Sequence, residues 1–151
     1  MNRPELGAIV PNFRLLPAIR AQRSCSLLDY RQIKPVVLVL CGRECGALLD
    51  GFARHYAEYR EAGAEVLAVV QKPPQGMPPP FPLVRDADGQ VTARLAERTP
   101  TVLLLDSYGE LQARHEGPWP DGPNHRDLVH HIIRLEMQCP ECGAPAWAQF
   151  Q

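Results

Sequence analysis

Two cysteines, Cys41 and Cys45, stand four residues apart at the junction of an apolar run and an amphipathic one. A thiol where a strand turns into a helix meets the unpaired N–H groups and partial positive charge of the helix N-terminus. Both favour the thiolate, the form that attacks disulfides and peroxides. Arg43 adds positive charge beside it and Glu44 opposes that charge. Cys45 is therefore a candidate nucleophile, set against the plainer reading of a small residue packing the helix start. Cys41 is a candidate second thiol. The segment between them contains Gly42, and a loop folded back there would bring the sulfurs within bridging range, a matter of Cα separation and Cβ direction. Its alternative is a buried residue at a strand end. Cys25 reads as a bystander in a loop.

The last two cysteines form Cys139-Pro140-Glu141-Cys142, the spacing of a redox pair and of half a zinc site. The motif follows a helix instead of opening one, and the negative end of a helix raises a thiol pKa. Cys139 and Cys142 are thus resolving candidates for an oxidised Cys45. The alternative is a structural zinc, with His115, His125, His130, His131 or a second subunit completing the set. His130 and His131 diverge by about 100° on a helix, so one at the surface and one half-buried is expected of them.

The elements that must position these groups are legible from apolar patterning. Residues 36–40 (Val-Val-Leu-Val-Leu), 65–70 and 101–105 are continuously apolar and short, as strands covered on both faces are. Residues 45–62 carry Leu48, Phe52 and Tyr56 at helical spacing, widened by Leu49 and Ala53, and Gly63 is a natural stop. Two buried strands joined by one helix make a right-handed parallel unit. Residues 72–82 hold six prolines and form a stiff surface connection, or a segment that docks a partner. A turn at residues 86–89 leads to a short helix near 91–97. Residues 106–109 turn the third strand into an antiparallel partner at 110–115. A final helix covers 124–137, with Asn124 as N-cap and Leu128, Ile132 and Leu135 on one face. Residues 26–30 read as a short helical turn within an otherwise extended N-terminal segment.

Composition narrows the classes that remain. The chain has 151 residues, 45% hydrophobic and 22% charged, which suits one globular domain and not a disordered chain. Lys+Arg 16 against Asp+Glu 17 gives a formal charge of -1, so a nucleic-acid partner is not expected. Five cysteines are too sparse for a disulfide scaffold. Residues 1–7 hold an early acid and no apolar core, and no apolar run approaches the ~20 residues that span a bilayer. Neither export nor a membrane partner is expected, and the cytoplasm is the expected compartment. Thiols stay reduced there, which suits catalytic, redox-sensing or metal-binding cysteines.

Several segments together resemble the alkyl hydroperoxide reductase / thiol-specific antioxidant (peroxiredoxin-like) family. Residues 6–15 (Leu-Gly-Ala-Ile-Val-Pro-Asn-Phe-Arg-Leu) resemble its G-x-x-x-P-x-F-x-L opening. Ser26-Leu27-Leu28-Asp29-Tyr30 before Lys34-Pro35-Val36-Val37-Leu38 is similar to a second run, and residues 81–89 to its "fpll-D-x-G" segment. Residues 99–106 (Thr-Pro-Thr-Val-Leu-Leu-Leu-Asp) resemble the "tPt-x-fliD" strand of thioredoxin-like redoxins. The resemblance covers about residues 6 to 137. It implies a thioredoxin-like fold, a reactive cysteine at the position of Cys45, and a cis bond before Pro100 facing that cysteine. The backbone of Thr99 would then meet an extended thiol substrate, with Arg43 as a further contact candidate. The family's Pro-x-x-x-(Thr/Ser)-x-x-Cys motif is not matched: Leu38 and Gly42 occupy those places. Pro100 stands where the family has an arginine, with Arg98 nearby, and no Cys-x-x-Cys opens the helix.

The expectation is therefore an α/β, thioredoxin-like domain over residues 1–151, a central mixed sheet flanked by helices. It carries an N-terminal extension and a Cys-x-x-Cys tail at 138–151. The expected function is a thiol oxidoreductase with Cys45 and Cys41 as catalytic thiols, acting on a hydroperoxide or on a thiol or disulfide protein. No cofactor is expected, zinc being the alternative, and a homodimer is compatible with the sequence. The competing expectation is a catalytically inactive binding domain on the same fold.

Overall fold

The three continuously apolar runs become the middle of one sheet. In the computed structural model, residues 3–19, 24–43 and 45–137 are described. The strands are β1 (Arg14–Leu15), β2 (Cys25–Ser26), β3 (Val36–Gly42), β4 (Glu65–Val70), β5 (Leu83–Arg85), β6 (Thr101–Leu105) and β7 (Leu111–Glu116). The helices are α1 (Gly46–Arg54), α2 (Tyr56–Glu61), α3 (Gln90–Leu95) and α4 (His125–Glu136), with one 3-10 turn at Leu27–Asp29. Five strands pair in the order β5-β4-β3-β6-β7, with β1 and β2 as a separate antiparallel pair. β3, β4 and β5 are parallel, whereas β6 and β7 join antiparallel. This is the mixed sheet flanked by helices that the sequence leads one to expect.

Side-chain alternation on β3 divides the core into two layers. Val37, Val39 and Cys41 face Phe52 and Tyr59 of the α1–α2 region and Leu128 and Ile132 of α4. Val36, Leu38 and Leu40 face Val10, Phe13 and Leu27 of the N-terminal segment and Leu95 of α3. Residues 36–41 are at most 4% exposed, so both faces are covered.

The N-terminal segment covers both sheet edges. Gly7 and Val10 donate to Leu111 and Gly109 beside β7, at 2.7 and 2.9 Å. Further along, Ala18 donates to Leu83, and Arg85 donates to Leu16, at 2.8 and 2.9 Å, satisfying the edge of β5. An edge left bare presents unpaired backbone groups that template aggregation.

The structure corrects three local expectations. The single helix over 45–62 is two helices, because His55 leaves helical geometry (φ -101, ψ 6) with its ring stacked on His125 and bonded to Glu58. Residues 83–85, read as a lead-in to a turn, form the parallel strand β5, which a three-residue run does not announce. Cys25 lies in β2 opposite Leu15, where the Tyr30 hydroxyl reaches its Sγ at 4.0 Å, and not in a loop. The N-cap of α4 is as expected: the Asn124 side chain accepts from the Asp127 N–H at 3.2 Å. Leu128 and Ile132 are buried and Leu135 half-buried, while His130 is exposed and His131 half-buried.

Candidate functional site

Cys45 is the N-cap residue of α1, with its carbonyl accepting the first helical bond from Leu49 at 2.9 Å. It is half-buried, at the carboxyl edge of the parallel strands, where open α/β sheets bind their ligands. Cys41 projects from β3 into the same layer and is 2% exposed. The two side chains are near enough for Cys45 to act on the Cys41 thiol, and no disulfide joins them. Burial pushes the Cys41 thiol well above its ordinary pKa, and the neighbouring Cys45 adds to that. Cys41 therefore carries its proton at neutral pH and has Cys45 as its neighbour.

The approach of the two thiols has a local cause. The register of β3 against β4 shifts between Leu40 and Gly42, and Gly42 takes φ +82. That left-handed residue turns the chain back over Cys41 before α1 begins. A Cβ added at Gly42 would run into the Thr99 hydroxyl and stand 2.9 Å from the Thr99 Cβ. The space beside Gly42 is thus filled by the Thr99 side chain from another loop. The place of the family motif's proline, Leu38, faces the opposite core layer.

Beyond Cys45 opens a groove of ≈ 930 Å³. One wall is α1, from Cys45 to His55; the other holds Pro100, Pro118, Trp119 and the start of α4. The Thr99–Pro100 bond is cis, as the resemblance implies, and so is Gly117–Pro118. The two loops are tied together by the Gly117 N–H, which donates to the Pro100 carbonyl at 2.8 Å. Gly117 is needed there, since a Cβ would lie 2.9 Å from the Pro100 ring and 3.0 Å from Trp119.

The candidate residues do not all gather at this groove. Cys45 and Pro100 line it, and Cys41 lies beneath Cys45. Arg43 and Thr99 instead line a hollow of ≈ 440 Å³ with Arg98 and Asp86, so their side chains do not reach the groove. Arg98 is held by Glu116 at 3.2 Å. Cys139 and Cys142 lie outside the described residues. Among the described residues no three His, Cys, Asp or Glu side chains are grouped to hold a metal. Of the histidines considered for zinc, His125 lines the groove: its Nδ1 meets the Tyr59 hydroxyl at 2.7 Å, and its ring stacks on His55 at 4.4 Å. Burial, with the charge of His55 second, lowers its pKa to about 4. Sequence reading missed Pro118, Trp119, Arg54 and His55 as groove residues. The one signal for the first two was a tryptophan enclosed by prolines at 118–120.

No family model matches the sequence, and no curated protein matches it. Solved structures do match the fold. A reduced 2-Cys peroxiredoxin of Plasmodium vivax superposes with TM-score 0.73 at 13% identity, covering 87% of this chain and 81% of that one. The mitochondrial 2-Cys peroxiredoxin of Plasmodium falciparum gives 0.69 at 15% identity, covering 85% and 92%. The chain therefore has the thioredoxin-like fold in the form found in peroxiredoxins.

Proposed function

We propose that the protein is a thiol-dependent oxidoreductase in which Cys45 is the attacking thiol and Cys41 the resolving one. The observation that carries this reading is the half-buried Cys45 at the mouth of the groove, packed against the core layer that holds the buried Cys41. With a hydroperoxide ROOH, the Cys45 thiolate attacks oxygen, the O–O bond breaks, and ROH leaves after taking a proton. Cys45 is then a sulfenic acid. The Cys41 sulfur attacks it, the S–S bond forms, the S–O bond breaks, and water departs with the Cys41 proton. With a disulfide protein, Cys45 attacks one partner sulfur and displaces the other as a thiolate; Cys41 then attacks the Cys45 sulfur, the Cys41–Cys45 bond forms, the mixed disulfide breaks, and the partner leaves as a dithiol after taking up protons. A cellular dithiol returns the pair to its reduced state, which suits a cytoplasmic site, and no cofactor is needed.

Cys41 is taken as the resolving group because it sits in the core layer against which Cys45 packs, and Cys139 and Cys142, which lie outside the described residues, are the alternatives that the test below distinguishes.

The test is treatment of the reduced protein with one equivalent of hydroperoxide, or of a protein disulfide, followed by non-reducing tryptic mass spectrometry. Cleavage after Arg43 separates the two cysteines, so the expected product is a linked Cys41–Cys45 peptide pair two hydrogens lighter. Cys41→Ser should stop at a sulfenic acid that dimedone captures. A Cys45 that remains a thiol under both oxidants overturns the proposal and leaves the inactive binding domain. A link to Cys139 or Cys142 overturns the assignment of Cys41.

A further inference from the structure

The groove is far larger than a peroxide requires: ≈ 930 Å³, against about 30 Å³ for a water-sized molecule. It is also chemically divided along its length. Near Cys45 it is apolar, with Pro100, Pro118 and Trp119 as walls. At the far end of α1 it is cationic. Arg54 and Arg126 are exposed there, on either side of the stacked His55 and His125. Neither guanidinium is in an ion pair among the described residues. Glu58, engaged by His55 at 3.2 Å, and Glu61 share a neighbouring hollow with Arg126, and Asp121 is the acid that lines the groove itself.

We propose that this groove selects an extended acidic polypeptide, with Arg54 and Arg126 as its specificity determinants. The inference rests on the thiol-exchange reading of Cys45 for the identity of the reacting group, but the charge selection stands apart from it. The spacing follows from the fold. Cys45 and Arg54 are nine residues apart along α1, about 14 Å at 1.5 Å per residue. An extended chain rises about 3.4 Å per residue. The substrate's acidic residue therefore lies about four positions from the cysteine that meets Cys45. Pro100 and Trp119 hold the intervening apolar backbone, and the arginines read the acid.

The probe is a set of fluorescein-labelled ten-residue peptides with serine in place of the reacting cysteine, titrated with full-length protein and followed by anisotropy. The variable position is four residues to either side of that serine, bearing Glu, Gln or Lys. The Glu peptide should bind about five- to tenfold more tightly than the Gln peptide at low salt, and the advantage should shrink toward twofold at 0.5 M salt. Arg54→Gln with Arg126→Gln should abolish the preference while leaving the thermal melt unchanged, since both side chains are exposed. Equal binding of Glu and Gln peptides, or a preference that survives the double variant, overturns the proposal. So does strong binding by the protein's own residues 138–151 supplied as a peptide, because a second copy would then be the occupant. Serine peptides cannot react, so an inert Cys45 leaves this measurement intact and the two readings fail separately.

Discussion

Burial sets Cys41 and Cys45 apart. Cys41 is 2% exposed and its pKa is raised, whereas Cys45 is half-buried on an open groove. Iodoacetamide at pH 7.5 should therefore modify Cys45 on the order of a hundredfold faster than Cys41 in the folded protein. The difference should collapse in guanidinium, where burial is removed; site-resolved mass spectrometry reads both rates. Equal rates in the native state would mean that the turn over Cys41 opens readily. The candidate pair itself was visible in the sequence as two cysteines four apart. Which of them reagents reach was not, because exposure depends on the parity of β3 and on the packing of α1 above it.

At the scale of elements, the site is made by a turn and two loops. Gly42 joins β3 to α1 with φ +82, and the Thr99 side chain occupies the space where a Cβ would point. Gly42→Ala meets both penalties, and we expect it to cost about 2–3 kcal/mol. Urea denaturation with and without Thr99→Ala separates them in part: the second change should recover the share due to the hydroxyl, while the Thr99 Cβ, 2.9 Å from the added Cβ, and the backbone penalty remain. A fully additive pair would show that Thr99 does not press on this turn. The strands and α4 were legible because long apolar runs and a capped amphipathic stretch follow from local chemistry. The break at His55 was not, since the residue that stacks on it, His125, is 70 positions away.

The whole molecule is expected to be acid-sensitive in one direction. His125 has its pKa lowered to about 4, and His115 and His131 are lowered as well, each chiefly by burial. Below the unfolded value of about 6.5 the unfolded chain takes up protons that the folded chain refuses. Stability should therefore be full above pH 6.5 and fall as the pH drops toward 4. His125, partly open to solvent, should account for roughly 1–2 kcal/mol of that loss. Thermal melts at pH 7 and pH 4.5 measure it, and His125→Asn should flatten the dependence. An unchanged slope in that variant would place the acid sensitivity elsewhere, with His115, whose buried Nε2 has no hydrogen-bond partner among the described residues, as the next residue to replace.

By itself the sequence determined the class of fold, the buried strands, the N-cap of α4 and the position of Cys45 at a strand-to-helix turn. Each follows from residues close in the chain, where periodicity and capping chemistry act locally. The order of motifs along residues 6 to 137 added the cis bond at Pro100. Tertiary structure alone decided that Cys41 lies under Cys45, that Thr99 fills the space above Gly42, and that Arg43 and Thr99 face a different hollow from the cysteines. It also brought Pro100, Trp119, Arg54 and Arg126 to one groove from segments as far as 72 positions apart. Such convergence depends on how the strands are ordered and how α1 and α4 pack over them, and no local pattern encodes that distance.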